Sequence, residues 1–225
     1  SSSAFCVGLL KALYKYRNQE ISNAAIAEQA SDIEIKNLNL SLGKQDHYSA
    51  VYGGLNYFKF LNNDKVLISK LDFNSELFNK IKQNLLIFWT GIQRSAETIL
   101  KDQSSNINKN IEKLIELRNL TDNFCEKLIY NDNTFDFGGI LDETWNIKKS
   151  FSNKITNSLI NEGYSIALKS GAKGGKICGA GGGGFLMIIS QPEFHESIST
   201  ELNKIGLKKY NLKFVEEASK VYEIN

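Results

Sequence analysis

Residues 171–190 read GAKGGKICGAGGGGFLMIIS, and the fold turns on how the glycines between KIC (176–178) and FLMII (185–189) are understood. A flexible linker is the plain alternative, but linkers are not bordered on both sides by strand-like apolar runs. A Walker A loop fails, because Ile177 follows Lys176 where Ser or Thr is required and the glycine spacing is wrong. A dinucleotide-binding fingerprint fails as well, since the run leads into a strand where that motif needs a helix N-terminus. A strand, a tight glycine turn and a second strand remain, with backbones packed closely beside a ligand or another loop.

Working outward, the apolar positions Phe5, Leu9, Leu10, Leu13 and Tyr16 recur at helical spacing behind three serines, so a first helix is expected at the opening residues. A second helix follows Ser22, with Ile26, Ala27, Ala30 and Ile33 on one face. LNYFKF (55–60) and VLISK (66–70) flank the turn LNNDK and predict a hairpin, and LLIFWTG (85–91) reads as a buried strand. Residues 94–132 read as a helical hairpin broken near DQSSN, with Ile107, Ile111, Leu114, Leu117, Phe124 and Leu128 as its apolar seam. Further helices are expected over 139–151 and 155–168, a short one after Pro192, and a last strand in LKFVEEA (212–218). Strands and helices alternate irregularly, which favours α+β layers over a doubly wound sheet.

Composition narrows the function classes. A net charge of +2 spread evenly along 225 residues gives no phosphate-neutralising surface, so small molecules or protein are expected as partners and nucleic acid is not. Cys6, Cys125 and Cys178 form no CxxC pair, which argues against a disulfide framework or zinc ribbon and for a reducing compartment. No apolar run approaches the roughly 20 residues that span a bilayer, so no membrane segment is expected. The opening SSSAFCVGLL lacks both an initiator Met and a signal-peptide pattern, and reads as a fragment.

Several residues carry candidate chemistry. Ser1, Ser2 and Ser3 lead into a helix, where hydroxyls and free amides converge on an anion site or serve as an ordinary cap. Asp46 lies in GKQDHYSAVYGG and Glu34 twelve residues earlier; brought together they suit a base and a magnesium ligand. Arg94, after a buried strand, suits a sugar phosphate or a surface ion pair. Trp145 suits sugar stacking or the core, and Lys148 a phosphate or solvent. His47 and His195, like Tyr14 and Tyr16, read as structural.

Three motifs in order resemble the GHMP kinase superfamily, which includes galactokinase, homoserine kinase and mevalonate kinase. SSSAFCVGLL looks like the tail of that family's glycine-rich phosphate loop. KICGAGGGG (176–184) matches its KxxGAGxGG motif, and Glu34, Asp46, Gly53 and Gly54 match the galactokinase-like spacing. FWTGIQRSAETIL (88–100) and DETWNIKKSFS (142–152) look most like the heptose 7-phosphate kinase branch. The family's first motif, with the strand layer that holds it, is absent. The resemblance implies a two-domain α+β fold, residues 1–80 from a ribosomal-protein-S5-like N-terminal domain and residues 81–225 a ferredoxin-like C-terminal domain. It implies ATP and Mg²⁺ as cofactors, Asp46 as the catalytic base, Ser2 and Glu34 on the metal, and Ser1, Ser2, Ser3, Gly179, Gly181 and Gly182 around the nucleotide. Arg94, Lys148, Gly179 and Ala180 would meet a sugar phosphate, phosphorylated at its anomeric hydroxyl. A cytoplasmic enzyme follows, with a homodimer as the candidate assembly. A fucokinase- or galactokinase-like sugar kinase, a non-catalytic sugar-binding regulator on the same fold, and a plain interaction module built on 94–130 are the alternatives.

Overall fold

The computed structural model describes residues 2–93 and 96–222 and divides into two compact units. One comprises residues 1–73 together with 214–225, and the other residues 74–213.

In the first unit, α1 (Ser2–Tyr16), α2 (Asn23–Asp32) and α3 (Gln45–Tyr52) pack on one another and on the hairpin of β1 (Asn56–Phe60) and β2 (Val66–Lys70). Ser22 caps α2 by accepting from the Ala25 amide at 3.2 Å, the side-chain oxygen replacing an intrahelical partner. Val7, Leu10, Ile26, Ala27, Ala30, Tyr48 and Val51 form the core. The buried stripe of α1 is Ser3, Val7 and Leu10, which corrects the face expected from the sequence: Phe5 is 73% and Tyr16 87% exposed, and Leu9 and Leu13 are exposed beside them. Helical spacing identifies an apolar stripe, but contact with α2 and α3 decides which side of the helix is covered.

The expected strand in 212–218 is also absent. The last strand is instead β6 (Lys208–Tyr210), while residues 214–222 run without regular structure across the first unit. The Ser219 amide donates to the Ala50 carbonyl at 3.1 Å, and Lys11 donates to the Ser219 carbonyl at 2.8 Å, so this strap joins α1 to α3. Gly53 makes room for it: at φ +61°, an added Cβ would lie 2.4 Å from the Ala218 nitrogen.

The second unit is built on an antiparallel four-stranded sheet in the order β4 (Ala172–Ile177), β5 (Phe185–Ser190), β3 (Leu85–Trp89), β6. Around it lie α4 (Glu76–Asn84), α5 (Ala96–Ser105), α6 (Ile111–Ile129), α7 (Phe137–Lys149), α8 (Ser158–Lys169) and α9 (His195–Lys204). A 3₁₀ turn, Ile107–Asn110, marks the break expected between α5 and α6. The expected seam is only partly covered: Leu128 is buried, whereas Ile107, Ile111 and Leu114 are exposed. Trp145, Phe88, Ile155, Ile160, Ile177, Leu186 and Ile188 are fully buried in one core, which assigns Trp145 to packing. Helix α8 starts at Ser158, later than expected, because Asn157 takes the N-cap and accepts from Ile160 N at 3.0 Å.

Helix α7 lies directly on β4, and glycine makes the approach possible. A Cβ on Gly174 would stand 2.0 Å from the Gly138 carbonyl oxygen, a backbone atom that cannot swing away. Gly174→Ala should therefore lower the unfolding free energy by about 3 kcal/mol, the upper part of the overpacking range, measured by urea denaturation.

Candidate active site

Each unit carries one group of the candidate residues. In the first, α2 runs into a π-helical turn, Ile33–Asn37, closed by the Leu38 amide on the Ile33 carbonyl at 2.9 Å. The extra residue in that turn re-aims the chain, and such turns recur at functional sites. Here it brings Glu34 inside, to 3% exposure. His47, fully buried on α3, lies with Nε2 2.6 Å from Glu34 Oε2. Burial alone would raise the Glu34 carboxyl above its ordinary value. Hydrogen bonds from Ser2, Ser3 and His47 outweigh that effect and hold it below.

Ser2 and Ser3 belong to the first turn of α1, where unbonded amides and the helix dipole favour negative charge. Asp46 is exposed in the first turn of α3. That helix is anchored by Glu28 of α2, which accepts from the Tyr48 hydroxyl and pairs with Lys44 at 2.8 Å. The expected pair, Glu34 and Asp46, thus sits on adjoining elements in different settings, one buried and one open to solvent. Ser1 and Arg94 lie outside the described residues.

A divalent cation fits this donor set. Among the described residues no cluster of three His, Cys, Asp or Glu side chains is present. Glu34 is nevertheless a buried carboxylate held by Ser2, Ser3 and His47, and no Lys or Arg among the described residues is paired to it. One carboxylate with a hydroxyl beside it suits magnesium, which keeps waters and takes its remaining oxygens from phosphates.

In the second unit the glycine turn between β4 and β5 is tied down through its carbonyls. Thr90 Oγ1 donates to Gly184 O at 2.8 Å, Asn157 Nδ2 to Gly182 O at 3.0 Å and Gln103 Nε2 to Ala180 O at 3.3 Å. Lys148 Nζ donates to Gly179 O, and the Gly182 amide to Ile155 O. Gly179, Gly181, Gly182 and Gly184 all adopt positive φ. A Cβ on Gly181 would come within 2.7 Å of the Ile155 carbonyl. The amides of Gly179 and Ala180 make no hydrogen bond among the described residues. Lys176 and Lys148 add positive charge: burial pushes the Cys178 thiol up, and both lysines pull it down. Burial also lowers Lys176.

The sequence reading did not assign roles to Gln103, Asn157 and Ile155, which fasten the turn from 25 to 77 positions away. No local pattern marks them. His47 had one signal, its place next to Asp46, but its contact with Glu34 depends on the fold.

The fold has counterparts among known proteins. Residues 1–54 match the GHMP kinases N terminal domain. Over 228 residues the chain is 28% identical to D-glycero-alpha-D-manno-heptose 7-phosphate kinase of Campylobacter jejuni, covering 99% of the chain and 66% of that protein. It is 27% identical to mevalonate kinase of Saccharolobus solfataricus, covering 96% of the chain and 62% of that protein. The crystal structure of a D-glycero-D-manno-heptose 1-phosphate kinase from Bacteroides thetaiotaomicron superposes with a TM-score of 0.75 at 25% identity, covering 99% of the chain and 63% of that structure. The chain therefore spans slightly less than two thirds of these relatives. Its matched N-terminal segment and its fold are thus similar to those of GHMP kinases.

Proposed function

We propose that this chain carries the catalytic carboxylate and phosphate-binding elements of an ATP-dependent sugar-phosphate kinase. The observation that carries the reading is Glu34, an anion buried beside two serine hydroxyls at a helix N-terminus, with no Lys or Arg among the described residues paired to it. Magnesium ATP, when bound, would supply the phosphoryl group, and the cation would neutralise phosphate charge. Glu34 and Ser2 hold the cation. The opening amides of α1, with Ser1 and Ser3, receive phosphate oxygens. Asp46 accepts the proton of the attacking hydroxyl. Phosphoryl transfer asks mainly for positioning and charge neutralisation, so one carboxylate base is sufficient. The turn amides of Gly179 and Ala180, shaped by Gly181 and Gly182, offer a further anion site, and Lys148 adds charge there while fixing the turn.

For the acceptor, the reading is the anomeric hydroxyl of a heptose 7-phosphate, converted to the 1,7-bisphosphate, with Arg94 clamping the remote phosphate through two charge-assisted bonds. Support comes from the heptose 7-phosphate kinase relative and from the position of Arg94 after β3. The name of the structural relative places the phosphate at carbon 1, so the test must include both isomers. Assays of heptose 7-phosphate, heptose 1-phosphate and free heptose with ATP should show turnover of the first above the others. Arg94→Lys should then raise KM for the sugar phosphate and leave KM for ATP little changed. Equal turnover of free heptose, with a silent Arg94→Lys, rejects the phosphate clamp.

Asp46→Asn should lower kcat about 10²-fold or more while ATP binding and the melting profile stay close to wild type. Retention of more than a tenth of the turnover would remove Asp46 from the role of base. Glu34→Gln should raise the magnesium concentration needed for activity. The same variant has an acid-stability signature. Because the folded carboxyl titrates below its ordinary 4.5, its contribution is present above that value and fades as pH falls through the lowered one. The stability gap between wild type and Glu34→Gln should accordingly shrink on acidification below about pH 4.5, as followed by denaturant midpoints.

A further inference from the structure

We infer that His47 is a positioning residue for Glu34, fixing the carboxylate that meets the cation, and is not a core filler. The inference rests on the reading of Glu34 as a magnesium ligand. The imidazole is fully buried on α3, and its Nε2 stands 2.6 Å from Glu34 Oε2. Its other nitrogen, Nδ1, is buried with no hydrogen-bond partner among the described residues. With the proton on Nε2, the ring donates to the carboxylate and leaves on Nδ1 a bare lone pair, which is less costly than an unpaired buried N–H.

A filler at this position would be better served by Leu or Phe, which bury no orphan nitrogen. The ring makes one strong directional contact, and it makes it to the one buried anion of the unit's candidate site. Ser2 and Ser3, the other donors to Glu34, carry hydroxyls that rotate about a single bond. His47 instead presents a planar ring wedged in the core, so it is the donor that restricts where Oε2 lies. Partners of this kind orient metal ligands, and their removal typically lowers metal affinity by about 10- to 100-fold. His47 also directly follows Asp46 on α3. One side chain therefore ties the helix bearing the candidate base to the turn bearing the candidate metal ligand.

The test compares His47→Leu, His47→Asn, His47→Gln and Glu34→Gln with wild type. The readouts are the magnesium dependence of turnover, the calorimetric affinity for a non-hydrolysable ATP analogue with magnesium or with chelator, and melting temperature in chelator. Gln can place an amide donor near the position of Nε2, whereas Leu has no donor and the shorter Asn cannot reach. His47→Leu and His47→Asn should raise the magnesium concentration for half-maximal turnover by about 10-fold and weaken analogue binding only when magnesium is present. His47→Gln should recover most of both losses. If Leu fails to fold, the contrast between Asn and Gln carries the same comparison. Losses that are equal with magnesium and chelator, or that track melting temperature without rescue by Gln, overturn the inference and return His47 to the core. If Glu34→Gln shifts the magnesium dependence but the His47 variants do not, the inference alone falls. An unchanged magnesium dependence in Glu34→Gln removes the metal reading and this inference together.

Discussion

A carboxylate that is 3% exposed cannot keep its charge without donors, and most of the first unit is arranged around supplying them to Glu34. The π turn carries it inward, α1 delivers two serine hydroxyls, and α3 delivers an imidazole. Three separate elements converge on one group. The packing of Val7, Leu10, Ala27, Ala30 and Val51 sets the spacing between those helices. Small residues on α2 permit the close approach that brings side chains as short as serine within reach of the carboxylate.

Asp46 illustrates the opposite solution. It stays exposed in the first turn of its helix, where free amides and the dipole favour an anion without burial. Its position is secured indirectly, through the pairing of Glu28 with Lys44 and Tyr48 on either side of it along the chain. Two carboxylates in neighbouring elements thereby acquire different environments, one desolvated and donor-bound and one solvated. Division of labour between paired carboxylates commonly has this origin.

The glycine turn of the second unit is rigid for a reason that its composition obscures. Side chains and backbone from the loop after β3, from α5, α7 and the start of α8 hold its carbonyls, while Gly181 and Gly183 are pressed against Ile155 and Ile92. Removal of side chains here buys proximity, and proximity brings hydrogen bonds that compensate the entropy of ordering glycine. The strap over Gly53 in the first unit works the same way, with Lys11 and Ala50 as its anchors.

The sequence by itself determined α1, α2, the β1–β2 hairpin, β3 and the helices of residues 96–169, the strand–turn–strand reading of the glycine run, and the residues Glu34, Asp46 and Ser2 as candidates. These are local matters: periodicity, capping and turn chemistry act over a few residues, and motif spacing survives without coordinates. Tertiary structure alone decided which side of α1 is buried, because Phe5 and Leu10 are equally apolar and only the neighbouring helices distinguish them. It alone left residues 212–218 without a ladder, since a strand exists only where a partner edge is free. It also turned His47 from a plain core residue into the donor on Glu34. A hydrogen bond of 2.6 Å between residues thirteen positions apart depends on how two helices cross, and no spacing in the chain records that angle.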